Sequence, residues 1–258
     1  MELRRVIRKS LEDYRKNWKK CLIISVYTGI MTVIYTLISV LFKMMGMFFI
    51  SLVIDFLYPV ITIGISFSYL KIVRNEKLLL SKNLFVGFKN PMKIIIISFL
   101  KDLFSILWGL LLIIPGVIKT YAYSQAEFIY LDNQEFGVTQ YLGFSSDLME
   151  NKKMGLFGLQ LLMYPLPQLI LIFLGYVIFH GIVTKDIMQS FMNSLFFMSA
   201  NLFISPLYGL IYANFYSFLA DGDEGAGERK SIWNIVLVVA LIILTVLSFI
   251  LFMKSLGY

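Results

Sequence analysis

Four ionisable side chains interrupt otherwise apolar stretches of this sequence, and they are the groups best placed to do chemistry there: Asp55, Lys101, Asp102 and Glu127. A charged group at the centre of a membrane helix costs at least about 2.5–3.5 kcal/mol on insertion scales, so such residues usually pair or bind something. In lipid, carboxylates and an ammonium group would bind an ion, a proton or a polar group of a ligand. These four residues are therefore the candidate ligand- or ion-binding residues.

Asp55 is followed four residues later by Pro59, which lacks the amide that would bond the carbonyl oxygen of residue 55. A helix break at Pro59 would place the carboxylate and the freed carbonyl at one depth, as in a cation or proton site or one half of a substrate pocket. The alternative is a structural aspartate that is protonated or paired with a lysine. The sequence leaves both interpretations open.

Lys101 and Glu127 form a second candidate group. Helix rise from the ends of their segments places both roughly 8–12 Å below the inner membrane surface, so we expect an ion pair between the third and fourth helices. Such a pair would either hold a helical hairpin together or gate a polar cavity that opens to the cytoplasm. The neighbouring polar side chains are Tyr121, Tyr123, Ser124 and Gln125.

Other site chemistries find little support in the sequence. A single His180 and a single Cys21 cannot supply a zinc ligand set or a Cys–His nucleophile pair. The motifs of nucleotide-binding loops, zinc proteases and serine hydrolases are missing from the 258 residues. We therefore expect no catalytic residues, no metal and no cofactor, although an all-carboxylate site remains possible in principle.

The composition indicates that lipid is the solvent for most of the chain. Hydrophobic residues make up 59% and charged residues 15%, with a mean hydropathy of +0.79. Soluble domains contain about 45–50% apolar and about 25% charged residues. This predicts an all-α integral membrane protein.

Uncharged stretches whose length is close to the roughly 20 residues needed to cross a bilayer define the predicted transmembrane helices. We expect seven crossings, at 21–42, 44–70, 94–114, 117–131, 154–179, within 187–220, and at 233–253. The domains are then a basic N-terminal helix at 1–20, a membrane core at 21–220, an acidic, glycine-rich cytoplasmic loop at 221–232 and a last transmembrane helix at 233–253.

Proline and glycine predict where these elements bend. Pro115 and Gly116 should form a turn that reverses the chain at the outer surface, because proline cannot continue the preceding hydrogen-bond ladder. The uncharged run at 187–220 would be about 51 Å long as one helix, longer than the hydrocarbon core is thick. We expect it to break around Pro206.

Two amphipathic helices are expected at the membrane surface. Residues 1–20 carry eight Lys and Arg side chains, with apolar residues at helical spacing, and 137–149 shows a similar apolar face. The first is either a solvated basic helix or a helix that lies on the anionic cytoplasmic leaflet. Nucleic-acid binding is not expected, because the patch is tethered to a membrane segment.

The distribution of basic residues predicts the orientation. With an inside N-terminus and seven crossings, the inner segments hold 18 Lys and Arg and the outer ends hold four. Treating 117–131 as a loop would move basic residues outside, so charge favours it as a crossing. The C-terminus is then outside.

The string IIPGVIKTYAYSQAEFIYLDNQ at 113–134, followed by Ser145, Leu148, Met149, Asn151 and Lys152, resembles the bacterial multi-pass family called domain of unknown function 975. LFVGFK at 84–89 and SPLYGLIYANFYSFL at 205–219 are similar to further blocks of that family. Gln134 replaces the usual proline, and LMENKK lacks the family glycine. The resemblance implies a bacterial six-helix membrane core over about 1–221, to which 233–253 adds one helix, and brings no known activity.

Two classes of function remain. The first is a non-enzymatic protein of the bacterial cytoplasmic membrane that binds a partner membrane protein, a peptide or a lipid, as an immunity, assembly or export accessory factor. The second is a small proton- or cation-coupled transporter that uses Asp55. A cavity that reaches Asp55 would favour transport, and a closed core would favour binding.

Overall fold

The structure is a computed structural model that describes residues 3–163, 165–180 and 186–221, and these ranges are helical and contain no β-strand. Two compact units are present. The main unit comprises Glu2–Lys153 and Leu202–Asp223, and the small unit contains Met154–Asn201. The predicted acidic loop beyond Asp221 and the predicted helix at 233–253 lie outside the described residues.

Helix α1, Leu3–Met44, joins the predicted basic helix and the first predicted crossing. Its one non-helical residue is Asn17 (φ −120°, ψ 23°), close to the boundary expected after residue 20. The side-chain amide of Asn17 donates to the carbonyl oxygen of Asp13 over 3.3 Å and so satisfies a backbone group at the distortion. The basic segment and the apolar segment of α1 therefore meet close to Asn17.

Helix α2, Phe48–Val73, packs against α1 to form a hairpin. The predicted break at Pro59 is wrong, because α2 continues through this residue. A proline removes only one backbone hydrogen bond, and packed neighbouring helices tolerate that loss in membrane proteins.

A short segment after α2 folds back against the middle of that helix. It consists of α3, Leu80–Leu84, and a 3₁₀ helix, Val86–Lys89. A Cβ atom on Gly64 would lie 2.2 Å from the carbonyl oxygen of Leu84, and one on Gly87 would lie 2.0 Å from the carbonyl oxygen of Val60. Only glycine permits these backbone contacts, so part of the basic segment between the second and third predicted crossings, residues 71–93, is a packed element.

Helices α4, Pro91–Leu111, and α5, Ile113–Ala122, lie side by side after a reversal at Leu112, whose backbone is extended. The expected reversal is therefore present, but Pro115 and Gly116 lie in the first turn of α5 instead of in the bend. A Cβ on Gly116 would lie 2.5 Å from the Cα of Gly109. Glycines at both positions let the two backbones approach closely.

The predicted crossing at 117–131 is divided between α5 and α6, Ala126–Asp132. Helix α7, Val138–Leu148, packs against α4, α5 and α6. It places Ser145 beside the interruption between α5 and α6. The Ser145 hydroxyl donates to the carbonyl oxygen of Ala122 over 2.7 Å and accepts from the amide of Gln125 over 3.1 Å. These bonds satisfy two buried backbone groups that a continuous helix would have paired internally.

The small unit contains α8, Lys153–Met163, and α9, Pro165–His180, together with the first half of α10, Asp186–Ala220. Gln168 and Asn201 exchange two side-chain hydrogen bonds within this unit. The predicted break at Pro206 is wrong, because α10 runs through it.

Within the described ranges, five helical stretches are long and apolar enough to cross a membrane, by length and composition: Leu3–Met44, Phe48–Val73, Pro91–Leu111, Lys153–Gly175 and Met198–Ala220. Many large apolar side chains on them are exposed, including Leu37, Phe49, Leu110 and Phe173. These features suggest a protein embedded in a membrane. Separately, α5 and α6 are each too short to cross.

Candidate binding sites

Asp55 lies on the α1–α2 hairpin and is surrounded by polar groups of α1. The hydroxyls of Tyr35 and Ser39 donate to its Oδ1 atom over 2.6 Å and 3.3 Å. The Nζ atom of Lys43 lies 3.9 Å from Oδ2 and forms an ion pair with the carboxylate, at a distance too long for a hydrogen bond. This is the lysine-paired aspartate that the sequence offered as the alternative. Oδ2 receives no hydrogen bond from the described residues, so it can accept one from a ligand.

Asp55 lies in the first half of α2, on the side of the loop that connects α1 and α2. Because α2 begins at Phe48, helix rise places Asp55 about 10 Å from the start of the helix. The Asp55 and Lys43 side chains are 38% and 48% exposed. The carboxylate therefore lies on the outer surface of the hairpin, accessible to groups beside the helices.

The predicted ion pair between Lys101 of α4 and Glu127 of α6 is present. Both side chains are mostly covered, with 24% and 21% exposure. Asp102 is exposed on α4 and interacts electrostatically with Lys101 and Glu127, without a hydrogen bond or ion pair in the described part of the chain. Three of the four candidate residues thus lie near one another, whereas Asp55 contacts Tyr35 and Ser39 of α1 instead.

Two tyrosines of α10 lie beside the Lys101–Glu127 pair. Their rings, those of Tyr208 and Tyr212, are 4.9 Å apart, and Tyr212 is close enough to Glu127 for an electrostatic interaction. The sequence analysis missed them. The signal was available in the four-residue spacing of Tyr208, Tyr212 and Tyr216, which places all three on one face of a helix.

A second ion pair, which the sequence did not predict, joins the end of α2 to the end of α6. Arg74 donates two hydrogen bonds to Asp132, over 2.6 Å and 2.7 Å, and Tyr216 donates a third over 2.7 Å. Desolvation alone would raise the pKa of Asp132, but these bonds and the positive charges of Arg74 and Lys71 hold it below its usual value of 3.8. The hydrogen bonds to Asp132 raise the pKa of Arg74.

Asp13 is a third charged group that the sequence analysis did not single out. It is 3% exposed and accepts a hydrogen bond from the amide of Asn214 over 3.1 Å, while Lys9 lies 3.4 Å away. The same amide donates to the hydroxyl of Ser10 over 3.2 Å. A buried polar contact thus fixes the start of α1 to the last part of α10.

The described residues contain no group of three or more His, Cys, Asp and Glu side chains that could hold a metal ion. Gln125 is fully buried, and its Oε1 atom has no partner among these residues. Of the four polar residues named for the alternative of a cytoplasm-facing cavity, Gln125 packs against Ser145, whose hydroxyl accepts from its backbone amide.

The chain matches no known protein-family profile, no curated protein and no solved structure.

Proposed function

We propose that this chain is a non-enzymatic protein of the bacterial cytoplasmic membrane that binds a partner membrane protein or peptide within the bilayer, through the Asp55 side of the α1–α2 hairpin. The observation that carries the proposal is a partly exposed carboxylate whose Oδ2 atom pairs with Lys43 at 3.9 Å and receives no hydrogen bond from the described residues. A donor from a neighbouring helix would complete the hydrogen bonding of this carboxylate in lipid.

The surface around Asp55 supports this choice. Leu52 and Phe56, to either side along α2, are exposed. An apolar helix face with one carboxylate matches a transmembrane segment that carries a single Lys, Arg, Asn or hydroxyl group. Apolar side chains would pack the partner helix against α2, and a hydrogen bond to the carboxylate would fix the orientation of that helix.

Lys101 and Glu127 take a structural role in this proposal. Each neutralises the other, and the pair connects α4 to α6 across the division at 123–125. Removal of one partner would leave a mostly covered charge alone, which is strongly destabilising. Asp102 remains a candidate contact for a polar group beside α4.

The proposed arrangement in the membrane is a six-crossing core with an inside N-terminus and one additional helix at 233–253. The charge distribution and the resemblance of 112–153 to domain of unknown function 975 support it. Side-chain hydrogen bonds also bring four helix ends together: the start of α1 and the ends of α2, α6 and α10. Such an arrangement requires an even number of crossings between any two of these ends.

Photocrosslinking tests the proposed docking surface. A photoreactive amino acid at Leu52 should capture a membrane partner in cells, and Asp55→Asn should abolish that adduct. Asparagine still accepts hydrogen bonds from Tyr35 and Ser39, so the hairpin should remain folded. The control is the same crosslinker at Leu110, which is 78% exposed on α4 and distant in sequence from Asp55.

An adduct at Leu52 that is unchanged by Asp55→Asn, or the absence of any adduct there, would contradict binding at this surface. Proton or cation flux in proteoliposomes that requires Asp55 would instead establish the transporter, which uses the same carboxylate.

A further inference from the structure

The part of α1 before Asn17, residues 3–16, is a helix whose rotation about its axis is fixed. Val6, Ser10 and Asp13 face inward and are buried, and the last two are bonded to Asn214 of α10. The guanidinium of Arg5 lies over the ring of Phe218, 5.1 Å from its centroid. These contacts determine which side chains face outward.

The outward face combines arginines with two large apolar side chains. Residues at helical spacing along it are exposed: Arg4, Arg8, Leu11, Arg15 and Trp18. Leu11 is 40% and Trp18 is 49% exposed. Glu12 is exposed beside this face, and Asp13 points to the buried side. We call the five outward residues the arginine face.

A contact to the end of α2 sets the level of this face along the bundle. Lys16, next to Arg15, donates to the side-chain oxygen of Asn75 over 3.0 Å, two residues after α2 ends at Val73. Because Phe48–Val73 is apolar enough to span a membrane, its end lies where the hydrocarbon meets the headgroups. The arginine face therefore reaches the level of lipid phosphates.

We propose that the arginine face binds the phosphate groups of anionic phospholipids on the leaflet next to the N-terminus. Guanidinium groups bind phosphate oxygens through two parallel hydrogen bonds. Tryptophan is favoured at the membrane interface, and Leu11 between the arginines inserts among the upper acyl carbons. This binding is independent of the partner proposed for Asp55.

The test uses the full chain in nanodiscs. Leu11→Cys in a Cys21→Ala background carries an environment-sensitive fluorophore, and its emission is followed as phosphatidylglycerol replaces phosphatidylcholine. We expect a blue shift that requires phosphatidylglycerol and weakens at high salt. Each neutralised arginine should weaken the association about fivefold, so Arg4→Gln, Arg8→Gln and Arg15→Gln together should abolish the shift at moderate phosphatidylglycerol content.

The matched control removes the same charge elsewhere, with Lys77→Gln, Lys82→Gln and Lys89→Gln, and should keep the shift. Equal emission in the two lipids, or loss of the shift in the lysine variant to the same extent, would overturn the proposal. So would an equal shift produced by inorganic phosphate in phosphatidylcholine nanodiscs, because that result would assign the arginines to a soluble anion.

Discussion

Asp132 shows how one carboxylate at a helix end connects three helices. It accepts hydrogen bonds from Arg74 after α2 and from Tyr216 of α10, and it ends α6. The pair was not predicted because 58 residues separate Arg74 from Asp132 and each lies at the polar end of its own segment. Lys101–Glu127 was predicted because helix rise alone gave both residues the same depth.

The lowered pKa of Asp132 predicts a pH-dependent contribution to stability. A carboxyl whose pKa is lower in the folded state stabilises the fold above its usual pKa of 3.8, and this contribution is lost as the pH falls through the folded pKa. Asp132→Asn should therefore lower the stability by about 1 kcal/mol at neutral pH. The difference from wild type should shrink as the pH falls below about 4.

Thermal unfolding in detergent at a series of pH values measures this effect. Glu135→Gln is the control, because the Glu135 carboxylate is exposed and its side chain bonds none of the described residues. A stability difference for Asp132→Asn that stays constant with pH would show that the charge of Asp132 does not contribute.

At the scale of elements, the segment of α3 and the 3₁₀ helix differs most from expectation. Lys82 and Lys89 gave it the composition of a polar loop, while Leu84, Val86 and Gly87 are buried. Composition describes side chains, but this contact is between backbones and needs only the absence of a Cβ at two positions. The sequence contains the glycines without indicating which helix they approach.

Substitution of these glycines should reverse the usual effect of alanine in a helix. Alanine normally stabilises a helix by up to about 1 kcal/mol relative to glycine. In Gly64→Ala the new Cβ would clash with the carbonyl of Leu84, a backbone atom that cannot rotate away, so we expect a loss of about 1–3 kcal/mol. Gly87→Ala should lose a similar amount through the carbonyl of Val60.

Gly143→Ala in α7 is the matched control, because a Cβ atom added at this mid-helix position would meet no other atom within 4 Å. Its midpoint of thermal unfolding should stay unchanged or rise. If Gly64→Ala also raised the midpoint, α2 and the following segment would not be in backbone contact.

At the scale of the whole molecule, polar contacts show which helix ends lie together. Arg74 and Asp132 bring the end of α2 to the end of α6, and Lys93 near the start of α4 donates to the carbonyl of Gln134. The chain from α4 to α6 therefore leaves and returns on one side, with its reversal at Leu112. The charge distribution predicted a crossing at 117–131, and that crossing stays a prediction. The division at 123–125 was not predictable because Ser145, which bonds the backbone groups there, comes from a later helix.

This arrangement predicts which positions a membrane-impermeant maleimide can reach in intact cells. In a Cys21→Ala background, Met45→Cys in the α1–α2 loop should be labelled from outside. Glu76→Cys and Glu135→Cys should both react only after the membrane is permeabilised, because the Arg74–Asp132 pair holds their neighbours on one side. Labelling of Glu135→Cys from outside while Glu76→Cys stays protected would mean that α5 and α6 do not return through the bilayer. That outcome would be incompatible with the Arg74–Asp132 ion pair and would remove one of the six proposed crossings. Protection of both positions would agree with an even number of crossings between the end of α2 and the end of α6.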